Sequence, residues 1–255
     1  MTAFCVIPAR IGSTRLPEKP LLNQTGKFLV EHVYEQAQKA RRADGVGVAT
    51  DDRRVVEAVE SFQGRAWLTR SDHASGTDRI AEVARRWIQA DILVNVQGDE
   101  PELAPDAIDR VIELLDDDPQ AVMATLATPI RQRDAWQDPA CVKVVFDVAG
   151  NALYFSRSPM PFVRDREPDF ATPAPTAYQH VGIYAYRRDF LLRLAALPPS
   201  RLEQLEKLEQ LRALENGFRI KVGVVDDVAF GIDTPDDYQR FVARYREKQA
   251  ASTRS

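Results

Sequence analysis

Three loops in this chain carry cations, hydroxyls and carboxylates in patterns that can do chemistry. The first is Ala9-Arg10-Ile11-Gly12-Ser13-Thr14-Arg15-Leu16-Pro17-Glu18-Lys19-Pro20, with three cations, two hydroxyls and one glycine. Backbone N–H groups near Gly12 can cradle phosphate oxygens, which Arg10, Arg15 and Lys19 can neutralise. Neither GxxxxGK[ST] nor GxGxxG occurs, so this is neither a P-loop nor a dinucleotide fingerprint. The second loop is Gln97-Gly98-Asp99-Glu100-Pro101, after an apolar run. A carboxylate there suits a hard cation such as Mg²⁺, and Gly98 lets a ligand come close to the backbone. Read alone, Asp99 serves equally well as a turn or cap residue. In the third, Gly231-Ile232-Asp233-Thr234-Pro235, Asp233 either assists a helix cap or joins Asp99 on one or two metal ions.

Two further groups are less compact. Arg70-Ser71-Asp72-His73-Ala74-Ser75-Gly76-Thr77-Asp78-Arg79 is dense in hydrogen-bonding groups. It can read a base or a ribose, or simply open a helix capped by Thr77. Arg157, His180, Tyr184 and the pair Glu209-Gln210 are scattered along the chain. His180 and Tyr184 are four apart on one strand and so share a face. An Arg such as Arg157 can grip a carboxylate bidentately.

The elements that must position these groups follow from periodicity. Phe4 to Pro8 and Ile92 to Val96 are apolar without alternation, as in strands buried on both faces. Helices are predicted over 27–42, 55–62, 78–89 and 105–115, with further strands at 46–49 and 66–68. This βαβα alternation indicates a parallel, doubly wound sheet. After about Asp118 the strand-like runs 122–126, 142–146, 153–155 and 181–186 lack long helices between them and favour antiparallel or mixed pairing. Residues 160–177 hold four of the sixteen prolines and read as a long loop. Ser200-x-x-Glu203 opens a helix predicted to run to about Glu215, closed by Asn216-Gly217. Its leucines at 202, 205, 208, 211 and 214 spiral round the helix and form no heptad seam. A strand at 220–225 and a helix capped by Thr234, with Pro235 first, complete the chain. The organisation is a single domain over 1–249. Its core comprises about 1–118 and 218–249, the lobe about 119–217, and 250–255 form a frayed tail.

Composition narrows the function. Lys+Arg total 34 against 38 Asp+Glu, a net charge of −4, which argues against nucleic-acid binding by bulk positive field. Two cysteines, Cys5 and Cys141, and three histidines make a disulfide framework, a thiolate zinc site or a His-rich metal centre improbable. There is no membrane-length apolar run and no signal-like start, so a soluble, cytoplasmic protein is expected.

Together these segments resemble the CMP-Kdo synthetase (3-deoxy-manno-octulosonate cytidylyltransferase) family. The likeness runs nearly the whole chain, through PARIGSTRLPEKPL at 8–21, ATDD at 49–52, DHASGTDR at 72–79 and NVQGDEP at 95–101. It continues through YFSR at 154–157, HVGIYAYR at 180–187, LEQLEKLEQLR at 202–212 and GIDTPDD at 231–237. The first motif alone points only to the wider nucleotidyltransferases, whereas HVGIYAYR with LEQLR is specific to the Kdo branch. The resemblance implies a doubly wound, mixed, mostly parallel sheet of the nucleotidyltransferase (GT-A-like) kind with a smaller antiparallel dimerisation lobe. It implies CTP + Kdo → CMP-Kdo + diphosphate, with Mg²⁺, in lipopolysaccharide synthesis, by a homodimer.

Carried over by motif, Arg10, Ser13 and Lys19 are expected to contact the CTP phosphates, with Ala9 also at the nucleotide. Arg70, Ser75, Thr77 and Gln97 are expected at the cytidine, and Asp99 and Asp233 on Mg²⁺. Arg157, His180, Tyr184, Glu209 and Gln210 are expected on the sugar acid, with Arg10, Lys19 and Asp99 catalytic. One departure is Glu18, where the family usually has a small residue, often glycine. The alternatives are a cytidylyltransferase for a Kdo variant such as 8-amino-Kdo, or for a sialic-type acid. A glycosyltransferase is disfavoured because the DxD in Asp116-Asp117-Asp118 follows a helix and not the central strand. A non-catalytic nucleotide binder would not need both Asp99 and Asp233.

Overall fold

β1 (Ala3–Pro8) sends Cys5 and Ile7 to one side of a sheet and Val6 to the other, and all three are fully buried. That double burial is why the strand reads as a continuous apolar run. The computed structural model describes residues 1–12, 15–166, 168–226 and 229–252. After β1 come α1 (Leu29–Gln38), β2 (Gly45–Thr50), α2 (Arg53–Ser61), β3 (Ala66–Leu68), α3 (Gly76–Arg86), β4 (Ile92–Asn95) and α4 (Pro105–Asp117). The second half contains β5 (Met123–Pro129), α5 (Arg133–Gln137), β6 (Lys143–Phe146), β7 (Ala152–Ser156) and β8 (Tyr178–Arg187). It ends with α6 (Arg188–Leu194), α7 (Arg201–Glu206), α8 (Gln210–Glu215), β9 (Ile220–Val224) and α9 (Pro235–Ser252).

The sheet order is β3-β2-β1-β4-β8-β5-β9. β3, β2, β1 and β4 run parallel, and β5 pairs β9 in parallel. β8 lies antiparallel between β4 and β5, which makes the sheet mixed. The hairpin β6–β7 branches from β8, so the second half grows out of one sheet and shares its core. No helix among the described residues is long and apolar enough to cross a membrane.

Several elements differ from the sequence expectation. The helix predicted over 200–215 is two helices, because Lys207 adopts φ 54°, closes α7 and lets the chain turn before α8. Arg212 of α8 pairs with Glu203 across the break, and Glu203 also accepts from the Ser200 N–H at 2.9 Å. Leu208 and Leu211 are buried while Leu205 is exposed. Thr77 does not cap α3. Ser75 does, its hydroxyl accepting from the Asp78 N–H at 3.1 Å. The short α5 and α6 were not anticipated, since neither is long enough to show a clear period. α9 continues through Ser252, further than the tail expected from 250, and 253–255 lie outside the described residues.

Candidate active site

The site forms where β1 and β4 end side by side. These strands are parallel neighbours, with Val6 opposite Asn95, so the first and second loops leave the sheet together. Their approach is close. A Cβ on Gly98 would stand 2.7 Å from the Pro8 carbonyl oxygen, so only glycine fits without backbone movement. Gln97 is fixed by donating from Nε2 to the Gly182 carbonyl of β8 at 2.9 Å. The third loop is stitched to the second by Ile232 N–H, which donates to the Asp99 carbonyl at 2.9 Å.

This geometry brings four charged groups to one point. Lys19 Nζ lies 2.7 Å from Asp99 Oδ2 and 3.5 Å from Asp233 Oδ1. Arg15 reaches the same Asp233 oxygen at 3.0 Å. The Lys19 side chain is 13% exposed, against 31% and 47% for the two aspartates, so a nearly buried ammonium sits between carboxylates that open to solvent. A cleft of about 320 Å³ lies beside them. Ala9, Arg10, Lys19, Gln97, Asp99 and Asp233 line it. Ser75 lies on its opposite wall, with His73 and Arg79. Beside Asp99, burial and the Asp99 charge push the Glu100 carboxyl up to about 8, against the pull of Lys19.

The walls are held from behind. Asp51 accepts from the Ile11 N–H at 3.3 Å and pairs with the buried guanidinium of Arg79 at 3.0 Å. This gives the ATDD segment its role and explains why its strand ends in carboxylates. Glu82 of α3 holds the opposite loop, accepting from the Arg70 N–H at 3.0 Å and meeting His73 Nε2 at 2.6 Å. Burial opposes it, yet these bonds and the nearby Arg86 keep the Glu82 carboxyl below its ordinary range. Asp51, Arg79 and Glu82 were absent from the site predicted from sequence. Their signal is charge buried on helices and strand ends next to the loops.

Glu18 turns away from the cleft. Its side chain pairs with Arg54, which also binds the α2 cap Asp52 at 3.0 Å. Its φ is 51°, a conformation that costs an L-residue roughly 1–2 kcal/mol and glycine almost nothing.

The remaining predicted residues fall as follows. The Arg70 side chain is exposed and pairs with Asp72, outside the cleft lining. Ser13 lies outside the described residues. Thr77 is buried and donates to Glu209 Oε2 at 3.1 Å. His180 and Tyr184 share a face, their ring centroids 5.3 Å apart. The bulge in β8 between them inserts two residues, which preserves the side-chain alternation. Arg157 is tethered, donating from Nε to the Glu206 carbonyl at 2.8 Å and from Nη1 to the Pro139 carbonyl at 2.9 Å. Gln210 is buried, and its Nε2 has no acceptor. The DxD aspartates are engaged elsewhere, Asp116 with Arg42 and Asp118 with Lys221.

His180 is held neutral. Thr125 gives its one hydroxyl proton to the Ile183 carbonyl at 2.8 Å, so His180 Nε2–H donates to Thr125 Oγ1 at 2.9 Å. Nδ1 is then left as an acceptor. Burial lowers the ring to about 3, and burial likewise lowers His32 to about 4. Both folded values lie below the ordinary 6.5, so protons bind on unfolding in the window between. The rings' contribution to stability is therefore complete above pH 6.5 and falls as pH drops, by about 1.4 kcal/mol per pH unit for each ring, while Glu100, raised to about 8, offsets one ring's share over the same window. Urea midpoints between pH 7 and 5 should show this fall, and His180→Gln should remove one ring's share. A His180→Gln profile parallel to that of wild type would mean that His180 protonates freely in the folded protein.

The comparisons with known proteins agree with the geometry. A family model described as Cytidylyltransferase matches residues 4–220. A 3-deoxy-manno-octulosonate cytidylyltransferase of Pelobacter propionicus is 51% identical over 255 residues, covering 98% of this chain and 100% of that protein. The chain belongs to the 3-deoxy-manno-octulosonate cytidylyltransferase family. The member from Geobacter sulfurreducens is 49% identical, covering 96% of this chain and 100% of its own. A solved structure of CMP:2-keto-3-deoxy-manno-octonic acid synthetase complexed with CTP superposes with a TM-score of 0.90 at 44% identity. That match covers 97% of this chain and 100% of the other. A cytidylyltransferase from Leptospira borgpetersenii, at 17% identity and TM-score 0.60 over 95% of this chain and 85% of its own, shares the fold. Among the described residues no three His, Cys, Asp or Glu side chains cluster as an all-protein metal cage would.

Proposed function

We propose that this nucleotidyltransferase joins CTP to Kdo, forming CMP-Kdo and diphosphate for lipopolysaccharide synthesis in the cytoplasm, and that it works as a homodimer. The observation that carries the reading is Lys19 held between Asp99 and Asp233 on the wall of a cleft, in a chain of this family. The Kdo anomeric oxygen bonds to the α-phosphorus of CTP while the bond to the diphosphate oxygen breaks, in line, and the hydroxyl proton passes to the departing diphosphate or to solvent. The chain's part is positioning and charge neutralisation. Arg10, Arg15 and Lys19 face the triphosphate, Gln97 and the 70–77 loop face the cytidine, and Arg157, His180, Tyr184, Glu209 and Gln210 hold the sugar acid. His180 Nδ1 accepts a sugar hydroxyl.

Two carboxylates that share one ammonium are a donor set that fits Mg²⁺, which takes one or two carboxylates and completes its shell with water and phosphate. Asp99 and Asp233 would hold it, and bound there it supplies positive charge to the phosphate oxygens. Lys19 neutralises the departing diphosphate.

The test is diphosphate release from CTP and Mg²⁺, with Kdo, 8-amino-Kdo and a sialic acid offered in parallel. Release with Kdo is expected. Release with 8-amino-Kdo or the sialic acid alone would reassign the sugar, and release with none would overturn the reading. In the same assay Arg157→Ala should raise the KM for Kdo at least tenfold, on the order of a charge-assisted bond of 1.5–3 kcal/mol, and leave that for CTP within about twofold. An equal rise in both would remove Arg157 from the sugar carboxylate.

A further inference from the structure

Glu209 and the 70–77 loop belong to opposite halves of the proposed site, yet they touch. Thr77 Oγ1 donates to Glu209 Oε2 at 3.1 Å, and Ser75 Oγ shares its one proton between Glu209 Oε1 at 3.2 Å and Asp78 Oδ2 at 3.1 Å, so one carboxylate lies within reach of both hydroxyls. We infer that this contact couples the two substrates: a sugar acid bound at Glu209 and Gln210 tightens nucleotide binding through Ser75 and Thr77. The inference rests on the assignment of those residues to sugar and nucleotide made above.

The loop has few other fastenings. Glu82 holds the Arg70 N–H and His73, and Ser75 caps α3. Both belong to the helix that follows the loop. The Glu209 contact is the one described here that crosses to the α7–α8 segment. Ser75 lines the cleft, so its position bears directly on a bound nucleotide.

The other end of the link is incomplete. Glu209 precedes α8, and Gln210 at its start is 5% exposed with Nε2 lacking an acceptor. A sugar oxygen accepting from Gln210 satisfies that donor and fixes the start of α8, hence Glu209. Burial raises the Glu209 carboxyl, so its hydroxyl bonds lie in a poorly hydrated place. Once the sugar acid has ordered Glu209, the nucleotide no longer bears the cost of ordering Ser75 and Thr77. By linkage the nucleotide must strengthen Kdo binding by the same factor.

The experiment is calorimetry with α,β-methylene CTP, which cannot react, and Kdo, each titrated alone and with the other saturating. Wild type should show a coupling factor of fivefold or more, equal in both directions. Thr77→Val should reduce it below about twofold, and Thr77→Ser, which keeps the hydroxyl, should restore it. Circular dichroism melts identify any variant that fails to fold, and the Thr77→Ser comparison then carries the test. A wild-type factor of one, or an unchanged factor in Thr77→Val, overturns the inference while leaving the substrate assignment intact. Glu209→Gln tests that assignment separately. If it leaves Kdo binding alone unaltered, the assignment fails and the inference falls with it.

Discussion

Asp99→Asn should fold as well as wild type and lose at least about a hundredfold in turnover, the scale on which one preorganised electrostatic group acts. The substitution keeps the shape of the side chain and its place at the end of β4, where the Asp99 carbonyl still accepts from Ile232. What it removes is charge. Lys19 then faces only Asp233, at 3.5 Å, and the proposed Mg²⁺ pair loses one carboxylate. Charge also sets an opposite effect on ground-state binding. Without metal, a carboxylate on the cleft wall repels a triphosphate, so Asp99→Asn should bind CTP in EDTA at least as tightly as wild type. In Mg²⁺ it should bind less tightly than wild type. Turnover by quenched flow and CTP affinity with and without EDTA make the check. Turnover within tenfold of wild type would take Asp99 out of the catalytic centre. A mutant weakened equally in EDTA and Mg²⁺ would assign Asp99 to structure.

The convergence behind that prediction was visible in the sequence as three loops after apolar runs, because a parallel sheet delivers successive strand ends to one edge. The parallel pairing of β1 with β2 and β4 follows from the same alternation. The place of β8 does not. Its alternating pattern marks a strand, but nothing local says that it enters antiparallel between β4 and β5, which depends on pairing over long separations. The helix at 200–215 shows a second limit. Its leucine spacing and capping box are satisfied by one helix or by two. Lys207 in a left-handed conformation, fixed by the packing of α7 on α8 and the Arg212–Glu203 pair, decides between them. Asp51 and Arg79 were legible only as motif members, and Glu82 only as a residue of the predicted helix 78–89. Their function lies in what they hold from behind, which spacing does not reveal.

The second large effect is expected at Lys143, a residue outside the motifs. Its side chain is fully buried, and its ammonium donates to the Asp138 carbonyl at 2.9 Å, the Arg157 carbonyl at 2.8 Å and the Cys141 carbonyl. All three donors are thus used, and burial lowers the Lys143 pKa without any carboxylate in direct contact. Lys143 ties the turn before β6 to the residue after β7, and that residue is Arg157. Lys143→Met keeps the length and volume but leaves those carbonyls short of a donor. The cost of desolvating the ammonium is recovered in part, so a net loss of about 2–4 kcal/mol is expected, within the range for breaking one side of a buried charged network. The backbone of Arg157 is freed at the same time, while its guanidinium still reaches the Glu206 and Pro139 carbonyls. The KM for Kdo should therefore rise several-fold with the KM for CTP unchanged, and a denaturant titration should report the stability loss. Lys143→Arg, which keeps a charge and donors but not the fit, should recover part of the stability and little of the KM. If Lys143→Met lost stability while the KM for Kdo stayed at the wild-type value, Lys143 would serve the β6–β7 hairpin alone, and the position of Arg157 would be set by Glu206.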